Sequence, residues 1–409
     1  MLGLVAGLAV VLLRDGAQQA DLGGRGSADG PPDQAAATSE LLFQLEQLLT
    51  REGTAPAVDL DDLVDPSQPA ASAELSDLVD NVRDLRIDQL QLRYLTQSAM
   101  ELSAEQRARY GDDAWVSEVQ LTWRLRGVER EVSTVEVPLV SGWDGDQAVF
   151  ETTRVTEGYR VPLWFTEPLA VRRTRSSVVL ARDAQAARSL ERLARTAVVT
   201  VRRTLPRWRG QLVLVAPSSV EDFRTAAGVS RAESRSIAAV TTTTDGSTLP
   251  TTPVNIYLNP DVFDPLGPEG QQIVVSHEAT HVALDAATTV LPLWLSEGIA
   301  DYVALVGHPL PERVLAAQVR GLVRADGAPR ALPGQAEFDG SNEDIGAWYE
   351  AAWLAVKLLA ETYGRAELLD FYERAEADGA TAPAFRRVLG TSQQAFTQAW
   401  RARLVELAR

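Results

Sequence analysis

Of the three histidines in this 409-residue chain, two stand four positions apart in Val275-Ser276-His277-Glu278-Ala279-Thr280-His281-Val282. On an α-helix that spacing stacks both imidazoles on one face, where they can offer two nitrogens to a single ion, while Glu278 sits one position round. A zinc ion that does chemistry needs three protein ligands and an open position for water. A third ligand follows in Trp294-Leu295-Ser296-Glu297-Gly298-Ile299-Ala300-Asp301-Tyr302, beyond a break at Pro292. Glu297 supplies a carboxylate there. Asp301 falls one helical turn later and can accept the free ring N–H of a ligating histidine, which fixes tautomer and ring orientation. The site reads as zinc held by His277, His281 and Glu297, with Glu278 as general base.

The alternative is a buried structural helix with an incidental histidine pair. Ile273, Val274, Val275, Val282 and Leu284 flank the first motif, and Leu293, Leu295, Ile299 and Val303 the second, so both segments read as largely buried helices. Charged groups are seldom buried without partners, and a zinc ion would pair them.

On these residues the chain resembles the gluzincin metallopeptidases, more closely the peptidase-MA-like domains of bacterial surface proteins. Carried over position by position, the resemblance implies that His277, His281 and Glu297 are ligands, Glu278 the base, and Asp301 the support of His277. The gap to Glu297 is a few residues shorter than in the thermolysin-like and M1-like branches, so the connection must be tighter. The resemblance also implies a tyrosine at the head of a later helix, whose hydroxyl donates to the oxyanion of the tetrahedral intermediate. Tyr349 occupies that place, with a packing role as its alternative. His308, before Pro309 in an expected exposed loop, is the weaker candidate for the same task.

These motifs need a scaffold, and composition frames it. A hydrophobic content of 45% suits a folded protein with a core. Without cysteine, neither disulfides nor thiolate zinc sites are available, so a metal must be held by histidine and carboxylate. A net charge of −17 argues against nucleic acid or anionic lipid as the main partner, since both need a basic footprint. Lys357 is the single lysine, which reads as coding composition and carries no functional signal.

Along the chain, residues 1–14 read as a membrane anchor or signal remnant. The apolar run Leu2 to Leu13 is shorter than the ~20 residues of a spanning helix, and a short buried helix is the alternative. Residues 15–37, rich in Gly, Ala, Asp and Pro, read as a flexible linker. Residues 38–172 are expected to form an α+β domain: helices at Ser39 to Arg51 (capped by Ser39) and Ala71 to Val82, then alternating strands at Leu85 to Tyr94, Val116 to Leu125 and Val132 to Val140, strands at Gln147 to Thr153 and at Pro162 to Val171, an arrangement that resembles an NTF2-like fold. Trp115, Trp123, Trp143 and Trp164 read as core or rim residues, with a ligand cage as the alternative.

The remaining residues, 173–409, are expected to be the gluzincin domain, giving an α+β chain overall. Its strands are Val178 to Ala181, Gln211 to Ala216, Ser236 to Thr241 and Val254 to Leu258, with a helix at Ala184 to Leu205. The resemblance implies an edge strand that pairs with a bound peptide, for which Ser236-Ile237-Ala238-Ala239-Val240 is the positional candidate. A helix through Ala347 to Leu359 stops at Gly364, and two helices close the chain from Pro383.

The expected activity is peptide-bond hydrolysis by a membrane-tethered or secreted zinc metallopeptidase outside the cytoplasm, needing Zn2+ and a peptide or protein substrate. A peptidase-fold binding or structural module is the other reading. An intact Glu278 favours the enzyme, because zinc kept for structure alone has no need of a carboxylate aimed at water. Substrate identity and oligomeric state are not encoded in any of these motifs.

Overall fold

The computed structural model describes residues 33–50, 58–340 and 342–409. The apolar run at 2–13 and most of the expected linker lie outside the described residues. Within them the fold is mixed α+β, with two sheets and fifteen α-helices.

The chain enters through α1 (Gln34–Leu49) and α2 (Pro69–Leu85). Helix α1 starts inside the stretch expected to be linker. Asp33 is its cap, accepting from the amides of Ala35 and Ala36, whereas Ser39 is interior and returns its hydroxyl to the Ala35 carbonyl. Strands β1 (Ile87–Gln97), β2 (Trp115–Leu125), β3 (Ser133–Trp143) and β4 (Ala148–Thr152) form an antiparallel meander in chain order, with α3 (Ala104–Tyr110) between β1 and β2. The strand expected over Pro162 to Val171 is instead the single turn α4 (Leu163–Thr166) and a short β5 (Ala170–Arg173). Pro162 and Pro168 cannot donate to a ladder, which ends regular pairing between them. Trp115, Trp123 and Trp164 are buried, and Trp123 meets Trp164 edge-on at 5.7 Å; with Trp143 packed against the same core, they form no cage.

The second sheet has the order β5-β6-β7-β9-β8, from β6 (Ser177–Ala181), β7 (Leu212–Ala216), β8 (Ala239–Thr243) and β9 (Val254–Leu258). Strands β6, β7 and β9 run parallel, while β5 and β8 pair antiparallel at the two edges. The expected boundary after Arg172 therefore falls inside β5. The apolar runs SVVLA and LVLVA lack polar alternation because both faces are covered. Val179, Leu214 and Ile256 face the helices, whereas Val178, Leu180, Val213 and Tyr257 join the core of the first sheet.

Between β6 and β7 lies α5 (Ala184–Thr204), whose Ala187, Ala194 and Ala197 let neighbours approach closely. After β7 comes α6 (Val220–Ala227), and after β9 the turn α7 (Pro260–Phe263). Then α8 (Pro268–Ala283) opens on a proline, whose missing N–H costs nothing at a helix start. It packs on α5, β8 and β9, and on α9 (Leu293–Ala304). Enclosed on all sides, α8 has no exposed residue from Ile273 to His281.

The helical remainder comprises α10 (Glu312–Leu315), α11 (Ala317–Asp326), α12 (Ile345–Tyr363), α13 (Arg365–Asp378), α14 (Thr381–Arg387) and α15 (Gln393–Ala408). Helix α12 crosses α9 so closely that a Cβ on Gly298 would sit 2.5 Å from the Ala352 carbonyl oxygen. Trp294 of α9 stacks on Phe385 and meets Phe396 tilted at 6.3 Å; burying a large apolar side chain contributes about 1.5–3 kcal/mol. Among the described residues no helix is long and apolar enough to cross a membrane.

Candidate metal centre

Helix α8 aims two imidazoles at α9, and the reversal at Leu284 to Pro292 brings Glu297 back to meet them. His277, His281 and Glu297 each offer a ligand atom, all within 4.8 Å of one another. The Nε2 atoms of the two histidines are 2.9 Å apart, and Glu297 Oε2 lies 3.3 Å from His277 Nε2 and 3.4 Å from His281 Nε2. Asp301, one turn along α9, has Oδ1 2.7 Å from His277 Nδ1. When Nδ1–H donates to that carboxylate, a neutral His277 presents the Nε2 lone pair to the cluster.

Electrostatics favours a cation between these groups. Burial alone would depress the His277 imidazole, yet Asp301 and Glu297 beside it lift its proton affinity well above the ordinary histidine value. Burial pushes the Glu297 carboxyl up, but the facing His281 and His277 hold it down at about 2. In both cases the site holds positive charge against buried carboxylate. Two imidazoles and a carboxylate fit zinc by donor type and number, and Glu297 Oε1 is buried without a hydrogen-bond partner among the described residues.

Glu278 is fully buried beside the cluster. Its Oε2 accepts from the Thr241 hydroxyl of β8 at 2.6 Å, and its Oε1 has no partner among the described residues. Burial raises its carboxyl above the usual range, outweighing His277, His281 and Thr241, which pull it down. A carboxylate of raised basicity with one free oxygen is what proton abstraction requires.

Tyr349, in the second turn of α12, lies beside the cluster. Its ring centroid is 6.4 Å from that of His277 and 5.0 Å from that of Phe338, both edge-on. Glu350, the next residue, accepts from the Val319 amide at 2.8 Å and so ties α12 to α11. His308 is placed elsewhere. It is half-buried, not exposed as expected, and its Nε2 lies 2.9 Å from Glu269 near the start of α8. Glu269 precedes His277 by two helical turns, about 12 Å along the axis.

Three positions carried no signal in the sequence. Thr241 is one of four consecutive threonines, Phe338 lies in a stretch without regular structure, and Gly298 reads as a weak point in a helix. Only tertiary packing brings them to the centre. Of the strand candidate Ser236 to Val240, only Ala239 and Val240 lie in the edge strand β8, and Ser236 to Ala238 precede it.

No protein-family model matches this chain, and no curated protein matches it in sequence. In structure it is similar to a two-domain M1 zinc metallopeptidase mutant bound to L-arginine, with 11% identity and a TM-score of 0.32 over 70% of this chain. A crystal structure described as the same protein bound to L-tryptophan gives 11% identity and a TM-score of 0.30. The match covers 61% of those chains, less than two thirds of their length. So distant a likeness carries no argument about activity, which must come from the geometry of the centre.

Proposed function

We propose that this protein is a zinc metallopeptidase that hydrolyses peptide bonds with Glu278 as general base. The observation that carries the reading is the convergence of His277, His281 and Glu297 on one point, with Glu278, next in the chain to His277, fully buried and its Oε1 without a hydrogen-bond partner among the described residues. When bound there, zinc would supply Lewis-acid polarisation of the scissile carbonyl and make water more acidic.

The chain's own residues do the rest. Glu278 takes the proton of the attacking water at Oε1 and returns it to the leaving nitrogen. Asp301 holds the His277 ring in the tautomer that binds metal. Tyr349 would donate to the oxyanion. In this reading the apolar run at 2–13 and the tether after it would deliver the enzyme outside the cytoplasm.

A second reading, a binding or structural module, is favoured by one observation. His277, Glu278, His281 and Glu297 are at most 2% exposed, and Phe338 covers Tyr349. Peptide hydrolysis needs a substrate to reach this buried cluster. The test is a peptide-library digest by the zinc-loaded protein and its Glu278→Gln variant. The parent is expected to cleave, and the variant to keep zinc and fold yet lose hydrolysis by several orders of magnitude. Cleavage by Glu278→Gln at the parent rate would overturn the mechanism, and a parent that cleaves nothing would favour the structural module.

A further inference from the structure

We infer that Thr241 is the positioning residue of the general base, fixing which oxygen of Glu278 is free to take a proton. Strand β8 places Ala239, Thr241 and Thr243 on one face and Val240 and Thr242 on the other, as the period of a strand requires. The first face is turned to α8. Ala239 belongs to the core shared with α8, whereas Val240 belongs to the core of the first sheet. Thr241 is thus delivered to the middle of α8, opposite Glu278.

There its Oγ1 lies 2.6 Å from Glu278 Oε2 and 3.2 Å from the Glu278 carbonyl oxygen. A hydroxyl has one proton to give, and the shorter contact to the charged group is the stronger bond. One carboxylate oxygen is tied down and the other is left buried without a partner among the described residues. A carboxylate on a long side chain otherwise samples a broad range of its last torsion, which is soft. With Oε2 pinned to a strand held in register by β9, that rotation is restricted and Oε1 is left as the oxygen free to take a proton. Among the described residues the Thr241 hydroxyl bonds to Glu278 alone, so its assigned action is through Glu278.

The kinetic arm of the test rests on the peptidase reading, while the binding arm does not. Thr241→Val keeps the shape and removes the hydroxyl; Thr241→Ser keeps the hydroxyl. With zinc loaded, Thr241→Val should hold one metal per chain, leave KM near the parent value and lower kcat about 10- to 100-fold, with Thr241→Ser largely restoring it. The second readout is acetohydroxamate affinity by calorimetry. This probe chelates zinc and hands a proton to a neighbouring carboxylate, so its binding reports the placement of Glu278 without turnover. Thr241→Val should bind it about tenfold more weakly, and Thr241→Ser close to the parent.

Parent affinity in Thr241→Val would overturn the inference even if peptides are cleaved. Loss of zinc or of folding in Thr241→Val, with Thr241→Ser no better than Val, would assign the residue to packing and also overturn it. A parent that cleaves no peptide but shows the affinity pattern would sink the peptidase reading and leave the positioning role standing.

Discussion

At the residue scale, the proposed function divides the centre into groups that would hold a cation and groups that would use it. His277, His281 and Glu297 belong to the first set, while Glu278 and Tyr349 belong to the second. The ligand types and the helical spacing were readable in the sequence, because a four-residue period is a local property of a helix. The place of Tyr349 could be named only by resemblance, since nothing in Ala347-Trp348-Tyr349 separates a donor from a packing ring. Its position beside His277 makes the distinction testable. If its hydroxyl donates to the developing oxyanion, Tyr349→Phe should lower kcat by roughly 10²-fold or more with little change in KM or melting temperature. Unchanged kcat in Tyr349→Phe would make it a packing residue. His308 would not replace it, being held by Glu269 about two helical turns away.

At the element scale, the relation between α8, α9 and α12 decides the geometry of the centre. The sequence showed α9 as an apolar segment after a proline, but not why a glycine follows Glu297 directly. The structure supplies the reason. Gly298 lies where α9 and α12 cross, and a Cβ there would meet the Ala352 carbonyl oxygen at 2.5 Å and Val356 Cγ2 at 2.8 Å. Backbone cannot yield as a flexible side chain can. Gly298→Ala should therefore push α9 from α12, costing about 2 kcal/mol or more, and weaken zinc binding through Glu297 next door. Gly321→Ala in α11 is the control, because nothing lies within 4 Å of its Cβ position; helix propensity predicts neutrality or a gain of up to about 1 kcal/mol. Urea unfolding of both variants measures the difference, and equal stabilities would show that the close crossing is not a constraint. The strand expected at Pro162 to Val171 has a related reason: apolar residues were visible there, but the two prolines that interrupt pairing outweighed them.

At the scale of the whole molecule, strand order and register emerge only from long-range pairing. The parallel run β6-β7-β9 was readable as three apolar segments, yet nothing local shows that β8 lies at the edge or that its Thr241 reaches α8. The division after Arg172 was placed on a shift in composition. The observed cores are continuous across it, because one face of the second sheet completes the core of the first. We propose that the buried cluster at the junction of α8 and α9 binds a catalytic metal ion. The most direct measurement is elemental analysis of zinc per chain in the purified parent and in His281→Ala, after dialysis against metal-free buffer. One equivalent in the parent and none in His281→Ala is the expected result; a full equivalent retained by His281→Ala would contradict the assignment.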